Sequence, residues 1–136
     1  MKKDQIFYVG QKAFIDKNGE ILVLIPPHGG VDFPGGKIRE GEHDFDESLK
    51  REVYEETGLT IDILKPFHRW YFTFQQSHPH AGQKVFLVGI KCRYISGEIK
   101  ISNEHRAFKW VNKDNYKELD DNSDHFKALE KYFEAM

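Results

Sequence analysis

A glycine turn followed by an acidic helix constrains this chain more than any other stretch of its sequence. Gly35 and Gly36 follow a proline, and the pattern predicts a helix over Phe45–Thr57 shortly afterwards. Asp44 is the expected N-cap of this helix, and Gly58 supplies its C-terminal stop. Because both helix ends are marked, the face that each acidic side chain occupies can be predicted from the spacing.

The acidic residues of this helix border its apolar stripe and do not lie opposite to it. With about 100° per residue, Glu56 lies about 40° to one side of Glu52 and Glu55 about 60° to the other. The apolar stripe lies on the same side as Glu56 and consists of Phe45, Leu49 and Val53. A carboxylate directed inward without a partner is costly, whereas a solvated acidic face would lie opposite the stripe. Clustered carboxylates here predict a site for a hard divalent cation and, through it, a phosphate chain.

The stretch from Gly36 to Leu59 resembles the Nudix box, Gly-x5-Glu-x7-Arg-Glu-U-x-Glu-Glu-x-Gly-U, in which U is a bulky aliphatic residue. Gly36 and Glu42 match the first half of this pattern. The second half is matched by Arg51, Glu52, Val53, Glu55, Glu56, Gly58 and Leu59. Eight residues separate Glu42 from Arg51 where the family has seven. We interpret the difference as a one-residue insertion at His43–Asp44, because loops absorb insertions and helices do not.

The resemblance implies a hydrolase that uses a divalent cation to cleave a nucleoside diphosphate linked to another group. The expected cation is Mg²⁺, with Mn²⁺ as the alternative. The implied metal ligands are the Gly36 carbonyl, Glu52, Glu55 and Glu56. The implied catalytic residues are Arg51, Glu52, Glu55 and Glu104. In this scheme Arg51 orients the acids, Glu42 supports the network, and Glu55 is a third ligand or the base that activates water.

Glu104 lies in the loop before the last predicted strand and resembles a later acid of the family that ligates metal or acts as base. An exposed loop glutamate is the equally weighted alternative. For the substrate, Phe33 and Phe74 are candidates because nucleobases stack on aromatic faces, and Arg39 is a candidate for phosphate. Most aromatic residues in strands nevertheless belong to a core.

The substrate class that the resemblance favours is a modified nucleoside triphosphate, cleaved to a monophosphate and pyrophosphate. ADP-ribose, dinucleoside polyphosphates and capped RNA ends stay open, because no second motif selects among them. A catalytically silent nucleotide sensor is the alternative from another class. The three inward acids argue against it, since a silent domain has no need for them.

Length and composition limit the remaining choices. The 136 residues predict one domain over 1–136, and the 39% hydrophobic and 31% charged fractions are typical of a soluble globular protein. A net charge of −2 argues against general binding to nucleic acid or to an anionic membrane. The polar amino terminus, the single cysteine Cys92 and the lack of a transmembrane-length run predict a cytoplasmic protein. A homodimer stays open.

The order of predicted elements indicates an α/β fold. The first strands form a hairpin, Ile6–Ile15 and Glu20–Ile25, followed by a short strand at Val31–Phe33 and a turn at Pro34–Gly36. Further strands are predicted at Ile61–Leu64, His68–Gln75, Lys84–Tyr94, Glu98–Ile101 and Phe108–Val111. A second helix over Asp124–Glu134 directs Phe126, Leu129, Tyr132 and Phe133 to the core. This order predicts a mixed β-sheet with helices on both faces, which is the Nudix-type α/β/α sandwich that the resemblance implies.

Overall fold

The described residues form one six-stranded sheet and two α-helices. The computed structural model describes residues 1–101 and 107–135. The strands are β1 Tyr8–Lys17, β2 Glu20–Ile25, β3 Gly35–Lys37, β4 Thr60–Thr73, β5 Lys84–Ser96 and β6 Ala107–Val111. The helices are α1 Phe45–Thr57 and α2 Asp124–Glu134, and a 3-10 turn at Tyr116–Leu119 precedes α2.

β1 is the branch point of the sheet, whose strand order is β4–β5–β1–β2–β6. It runs parallel to β5, while its other edge pairs antiparallel with β3 at Gly10–Lys12 and with β2 at Asp16–Lys17. The tight turn between β1 and β2 has positive φ angles of 55° at Asn18 and 88° at Gly19, which suits the twist of a hairpin. The pairing of β1 with β3 holds the glycine pair Gly35–Gly36 against the sheet.

The two helices cover opposite faces of the sheet, because alternate residues of each strand point in opposite directions. On β1, Ala13 and Ile15 join the core under α1, whereas Phe14 joins the core under α2. The core under α1 also contains Leu22, Leu24, Leu49 and Val53. The core under α2 also contains Ile21, Val23, Phe126 and Leu129. The α/β/α sandwich with a mixed sheet is therefore confirmed.

Both helices have the predicted bounds. Oδ1 of Asp44 accepts a hydrogen bond from the Glu47 amide at 3.1 Å, and Gly58 closes α1 with a φ of 79°. The four residues predicted to face the core from α2 are all buried. Phe45 corrects the predicted apolar stripe of α1: its side chain is 53% exposed, because the first residue of the helix lies outside the contact between α1 and the sheet.

The segments predicted as strands on either side of Pro66 form one strand, β4. Register shifts between Ile63 and Lys65 and between Pro66 and His68 accommodate the proline. Since β4 is an edge strand, the amide that proline lacks does not remove a ladder hydrogen bond from the interior of the sheet. The predicted pair of short strands is thus replaced by one long, irregular strand.

Two other strand predictions are wrong. Val31–Phe33 contributes only an isolated bridge between Asp32 and Leu24. The short strand of this region is β3, which contains Gly35 and Gly36, where the sequence predicts a turn. Gly35 adopts a φ of 142°, which lets its backbone pair closely with β1. Glu98–Ile101 is not a strand, since the Lys100 amide donates to the carbonyl of Thr57 at 2.8 Å and ties this segment to the end of α1.

Cys92 lies buried on β5, as the sequence predicts, and burial raises the pKa of its thiol to about 12. A thiol that stays protonated is a poor nucleophile, which agrees with an inert strand residue. Across residues 1–101 and 107–135, none of the helices has the length and apolar character needed to cross a membrane. The domain boundary at 1–136 and the cytoplasmic location stay predictions.

Candidate functional site

The backbone of Gly36 on β3 lies directly against the carboxylate of Glu52 on α1. A Cβ atom added at Gly36 would overlap Oε2 of Glu52. Only a residue without a side chain therefore allows the helix to place this carboxylate beside the strand. The physical reason for glycine at this point of the sequence is the space that Glu52 occupies.

Glu52 is a largely desolvated carboxylate. Its side chain is only 14% exposed, and burial raises the pKa of Glu52 above the usual carboxyl value, against the opposing charge of Arg51. The nearest guanidinium atom, Nη2 of Arg51, is 3.8 Å from Oε1. A buried carboxylate is stabilised in its charged form by a nearby cation. A bound divalent cation would supply that charge.

Glu56 lies one helical turn after Glu52 and reaches the same glycine pair. Its Oε1 accepts a hydrogen bond from the Gly35 amide at 3.2 Å. Residues four apart on a helix share a face, so Glu52 and Glu56 both point toward β3. The structure thus brings together two of the three predicted acidic ligands.

Glu55 points away from this pair. Its side chain is 59% exposed, and Nη1 of Arg51 donates to both of its carboxylate oxygens, at 3.1 and 3.2 Å. Within the described ranges, no group of three histidine, cysteine or acidic side chains is arranged to hold a metal ion. The convergence predicted for three glutamates is therefore corrected to two, because Glu55 lies on the far side of Glu52 and pairs with Arg51. Its role as a ligand or base stays a prediction.

Glu42 is held at the edge of the site by three hydrogen bonds. Oε1 accepts from the Arg39 amide at 2.7 Å, and Oε2 accepts from Oγ of Ser48 at 3.0 Å and from Nη2 of Arg51 at 2.7 Å. These donors, the Arg39 amide first, lower the pKa of the Glu42 carboxyl. Glu42 thus reaches Arg51 despite the extra residue between them. The position of that insertion stays a prediction.

Ser48 is a residue of this network that the sequence reasoning missed. It is only 7% exposed, and it lies three residues before Arg51, so that both side chains meet Glu42 from one face of α1. A small hydroxyl residue in the apolar half of a helix, one turn before the paired arginine, is the signal that could have identified it.

Replacement of Glu42 with glutamine is expected to lower the thermal unfolding midpoint at neutral pH. The pKa of Glu42 is lowered in the folded protein, so its stabilisation is present above the unfolded-state pKa and is lost as the pH falls through the folded-state pKa. The difference between wild type and Glu42→Gln should therefore disappear in acid. Melts at a series of pH values test this, with Glu40→Gln at an exposed neighbouring position as the control. A difference that stays constant down to strongly acidic pH would contradict the assignment.

A buried lysine lies beside the glutamates. Nζ of Lys12 on β1 is 3.0 Å from Oδ1 of Asp32 and donates to the carbonyl of Phe33 at 3.3 Å, and the side chain is 12% exposed. Burial acts to lower the pKa of Lys12, but the ion pair with Asp32 outweighs it, and the charges of Glu56 and Glu52 raise the pKa further. Lys12 therefore stays charged. Its signal in the sequence is a lysine directly before the apolar run Ala13–Ile15 of a predicted strand.

The predicted substrate residues differ in their surroundings. Phe33 is fully buried, with its ring stacked on Phe14 at 4.1 Å, so the prediction that it contacts a substrate is corrected: it is a core residue. Phe74 is partly exposed, stacks on His78 at 4.2 Å and has Nζ of Lys37 5.4 Å from its ring centre. Its contact with a substrate stays a prediction.

Arg39 is exposed, and its charge acts to lower the pKa of Glu52, which places it near the acidic pair. Its contact with phosphate stays a prediction. Glu104 lies outside the described residues, so its predicted role has no structural account here.

A cavity of about 560 Å³ lies away from the glutamates. It is lined by residues of the β1–β2 turn, β5 and α2, including Lys17, Lys91 and Tyr132. These residues cluster around the end of β1 at Asp16–Lys17, whereas the glycine pair contacts the other half of that strand. The glutamate pair at the junction of α1 and β3 is thus separate from this cavity.

Fold and site together define a class of protein in which a glycine strand and an acidic helix form one motif. A family model of the NUDIX domain matches residues 12–132, and the chain belongs to the Nudix hydrolase family. Members of this family generally need divalent metal ions, and the oxygen donors of Glu52 and Glu56 suit such ions.

Among curated proteins, the chain is similar to the NAD-capped RNA hydrolase NudC of Mannheimia succiniciproducens, with 34% identity over 80 residues. That match covers 58% of this chain and 27% of the relative. The NudC protein of Haemophilus influenzae is 33% identical over 90 residues, which is 65% of this chain and 31% of the relative. The matches thus cover less than a third of the length of these curated relatives.

Solved structures show the same fold over nearly the whole chain. The MutT protein from Methanosarcina mazei Go1 superposes with a TM-score of 0.79 at 24% identity, covering 98% of this chain and 97% of that one. An ADP-ribose pyrophosphatase from Streptococcus suis gives a TM-score of 0.68 at 22% identity, covering 94% and 90%. At these identities the similarity establishes the fold alone.

Proposed function

We propose that this protein is a divalent-metal-dependent pyrophosphohydrolase that cleaves a nucleoside diphosphate-linked substrate. The preferred substrate class is a modified nucleoside triphosphate, cleaved to the monophosphate and pyrophosphate. The observation that carries the proposal is the desolvated Glu52 carboxylate against Gly36, with Glu56 bonded to the adjacent Gly35 amide. A protein without metal chemistry has no need to place two partly buried like charges one helical turn apart.

Glu52, Glu56 and the carbonyl of Gly36 would hold Mg²⁺, with Mn²⁺ as the alternative. The cation would neutralise phosphate charge and lower the pKa of a bound water. The fit rests on donor type, since hard oxygen atoms suit either ion, and on the missing side chain of Gly36, which lets the Glu52 carboxylate lie against the backbone of the glycine pair.

The remaining charged residues position the side chains of the site and accept the proton of the attacking water. Arg51 connects Glu42 to Glu55 and so fixes the exposed carboxylate relative to the helix. We assign Glu55 the role of accepting a proton from the attacking water, with Glu104 as the alternative base. The water oxygen forms the new bond to phosphorus while the bond to the bridging oxygen breaks, and pyrophosphate leaves. Lys12 supplies a fixed positive charge beside the acids, and Phe74 and Arg39 are the proposed contacts for base and phosphate.

Addition of Mg²⁺ together with a bound nucleotide is expected to raise the thermal unfolding midpoint. A ligand that binds only the folded state at a hundred times its dissociation constant stabilises that state by about 2.7 kcal/mol. Melts are compared with Mg²⁺ alone, nucleotide alone, both together, and both with excess chelator. A midpoint that is the same under all four conditions would indicate a structural domain with an ordinary acidic helix.

A substrate screen separates the enzymatic candidates. The names of the relatives favour two alternatives to nucleoside triphosphates, namely NAD-capped RNA and ADP-ribose. Turnover of these compounds, of modified triphosphates and of dinucleoside polyphosphates is compared through the phosphate-containing products. Binding without turnover of any substrate would favour the silent sensor. The cytoplasmic location remains part of the proposal, and a homodimer stays open.

A further inference from the structure

A row of four polar side chains connects the edge strand β4 to the acidic site. Nε1 of Trp70 on β4 donates to Nδ1 of His125 on α2 at 3.2 Å. Nε2 of His125 lies 3.5 Å from Oδ1 of Asp32, and the same oxygen is 3.0 Å from Nζ of Lys12. The four side chains come from β4, α2, the loop after β2, and β1. No short-range sequence pattern predicts that these four side chains lie next to one another.

The direction of these contacts determines the form of His125. An indole N–H can only donate, so Nδ1 of His125 must accept and carry no proton. In the neutral ring the proton then lies on Nε2, which is the nitrogen that faces Asp32. Burial, the largest effect, lowers the pKa of His125, which favours the neutral ring near pH 7. Trp70 thus determines the tautomer, and the tautomer places the proton of His125 on Nε2, 3.5 Å from Oδ1 of Asp32, an oxygen that also accepts from the Phe33 amide at 2.8 Å.

We propose that Trp70 and His125 are positioning residues for the hydrolytic site: Trp70 holds His125 as the Nε2–H tautomer, His125 orients Asp32, and Asp32 holds the Lys12 ammonium beside Glu52 and Glu56. This inference rests on the proposed function for its kinetic part only. The hydrogen-bond arrangement itself is a property of the folded chain.

We expect the position of the Lys12 ammonium to affect substrate binding. A phosphate chain that approaches Glu52 and Glu56 is repelled by their carboxylates, and a fixed ammonium nearby reduces that repulsion. A lysine side chain held in place has already lost its rotamer freedom, so binding does not have to restrict it. Disturbance of Trp70 or His125 should therefore raise KM and leave kcat nearly unchanged.

The tautomer is measured by ¹⁵N NMR of the imidazole nitrogens in the full chain. In the wild type, His125 is expected to show a protonated Nε2 and an unprotonated Nδ1. In Trp70→Phe, which lacks the donor, the His125 signals should move toward a mixture of both tautomers. Trp110→Phe is the matched control, because Trp110 is partly buried against the core under α1, on the other face of the sheet. A protonated Nδ1 in the wild type, or His125 signals that Trp70→Phe does not change, would overturn the proposal.

The connection to Lys12 is tested with a double-mutant cycle. Lys12→Met should raise KM by about tenfold, for the loss of a charged contact, and Trp70→Phe by about threefold, for the loss of a neutral hydrogen bond, both with kcat within a factor of two. The double variant should resemble Lys12→Met alone, because both changes remove the same effect. KM effects that multiply, or an equal effect of Trp110→Phe, would refute the connection.

His125→Gln provides a further test if Trp70→Phe folds poorly. The glutamine amide nitrogen can take the place of Nε2 and donate to Asp32, so its KM should lie closer to the wild type than that of His125→Leu. Equal KM values for these two variants would also count against the arrangement. If no variant and no wild-type sample hydrolyses any substrate, the proposed function fails, whereas the NMR result still decides the hydrogen-bond arrangement.

Discussion

Replacement of Glu52 with glutamine should reduce metal-dependent hydrolysis by roughly a thousandfold, and Glu56→Gln should have a similar effect. Each change removes one negative charge from the pair that faces β3 and keeps the shape of the side chain. The unfolding midpoint should stay the same or rise, because a neutral amide costs less to bury than a desolvated carboxylate. Loss of activity without loss of stability is the signature of a site residue.

Steady-state rates with Mg²⁺, measured together with melting curves, test this prediction. Glu47→Gln is the matched control, since Glu47 lies on the same helix with an exposed side chain paired to Lys50. Turnover of Glu56→Gln at the wild-type rate would show that the assignment of the metal ligands is wrong. Equal losses in Glu47→Gln and Glu52→Gln would indicate a nonspecific effect of helix charge.

The neighbouring glycines should respond to alanine in different ways. In Gly36→Ala, the added Cβ overlaps the end of the Glu52 side chain, which can move aside, so we expect a loss of activity of about a hundredfold with little loss of stability. In Gly35→Ala, the added Cβ overlaps the backbone carbonyl of Gln11, and the φ of 142° is unfavourable for alanine. Backbone overlap and strain together should destabilise the fold by about 3 kcal/mol.

Denaturant unfolding and hydrolysis rates for the two variants test this contrast. Gly82→Ala is the control for backbone strain alone, because Gly82 has a φ of 86° and open space around the added Cβ. It should lose about 1 kcal/mol of stability and retain activity. A Gly36→Ala variant that is fully active would show that the position of Glu52 against the strand is not needed for the reaction.

Local patterns predicted the two helices and most of the strands. The capping residues Asp44 and Gly58 mark the ends of α1, because their effects act within a single helical turn. The strand predictions failed at Val31–Phe33 and Glu98–Ile101, where the chain is held by contacts with distant residues. The Lys100 amide, for example, bonds to Thr57, and no short-range pattern reveals that pairing.

The sequence alone determined that a helix carrying Arg51 and the glutamates Glu52, Glu55 and Glu56 follows a glycine pair, since spacing and helical period are local properties. Tertiary structure decided which of these acids share a site: Glu52 and Glu56 face β3, whereas Glu55 pairs with Arg51 at the surface. Tertiary structure also placed Ser48, Lys12 and the Trp70–His125 pair near these acids. Their partners lie on other elements or in loops and cannot be read from the local sequence. The physical reason is that a carboxylate's environment depends on the backbone packed against it, and that backbone is positioned by the pairing of β3 with β1.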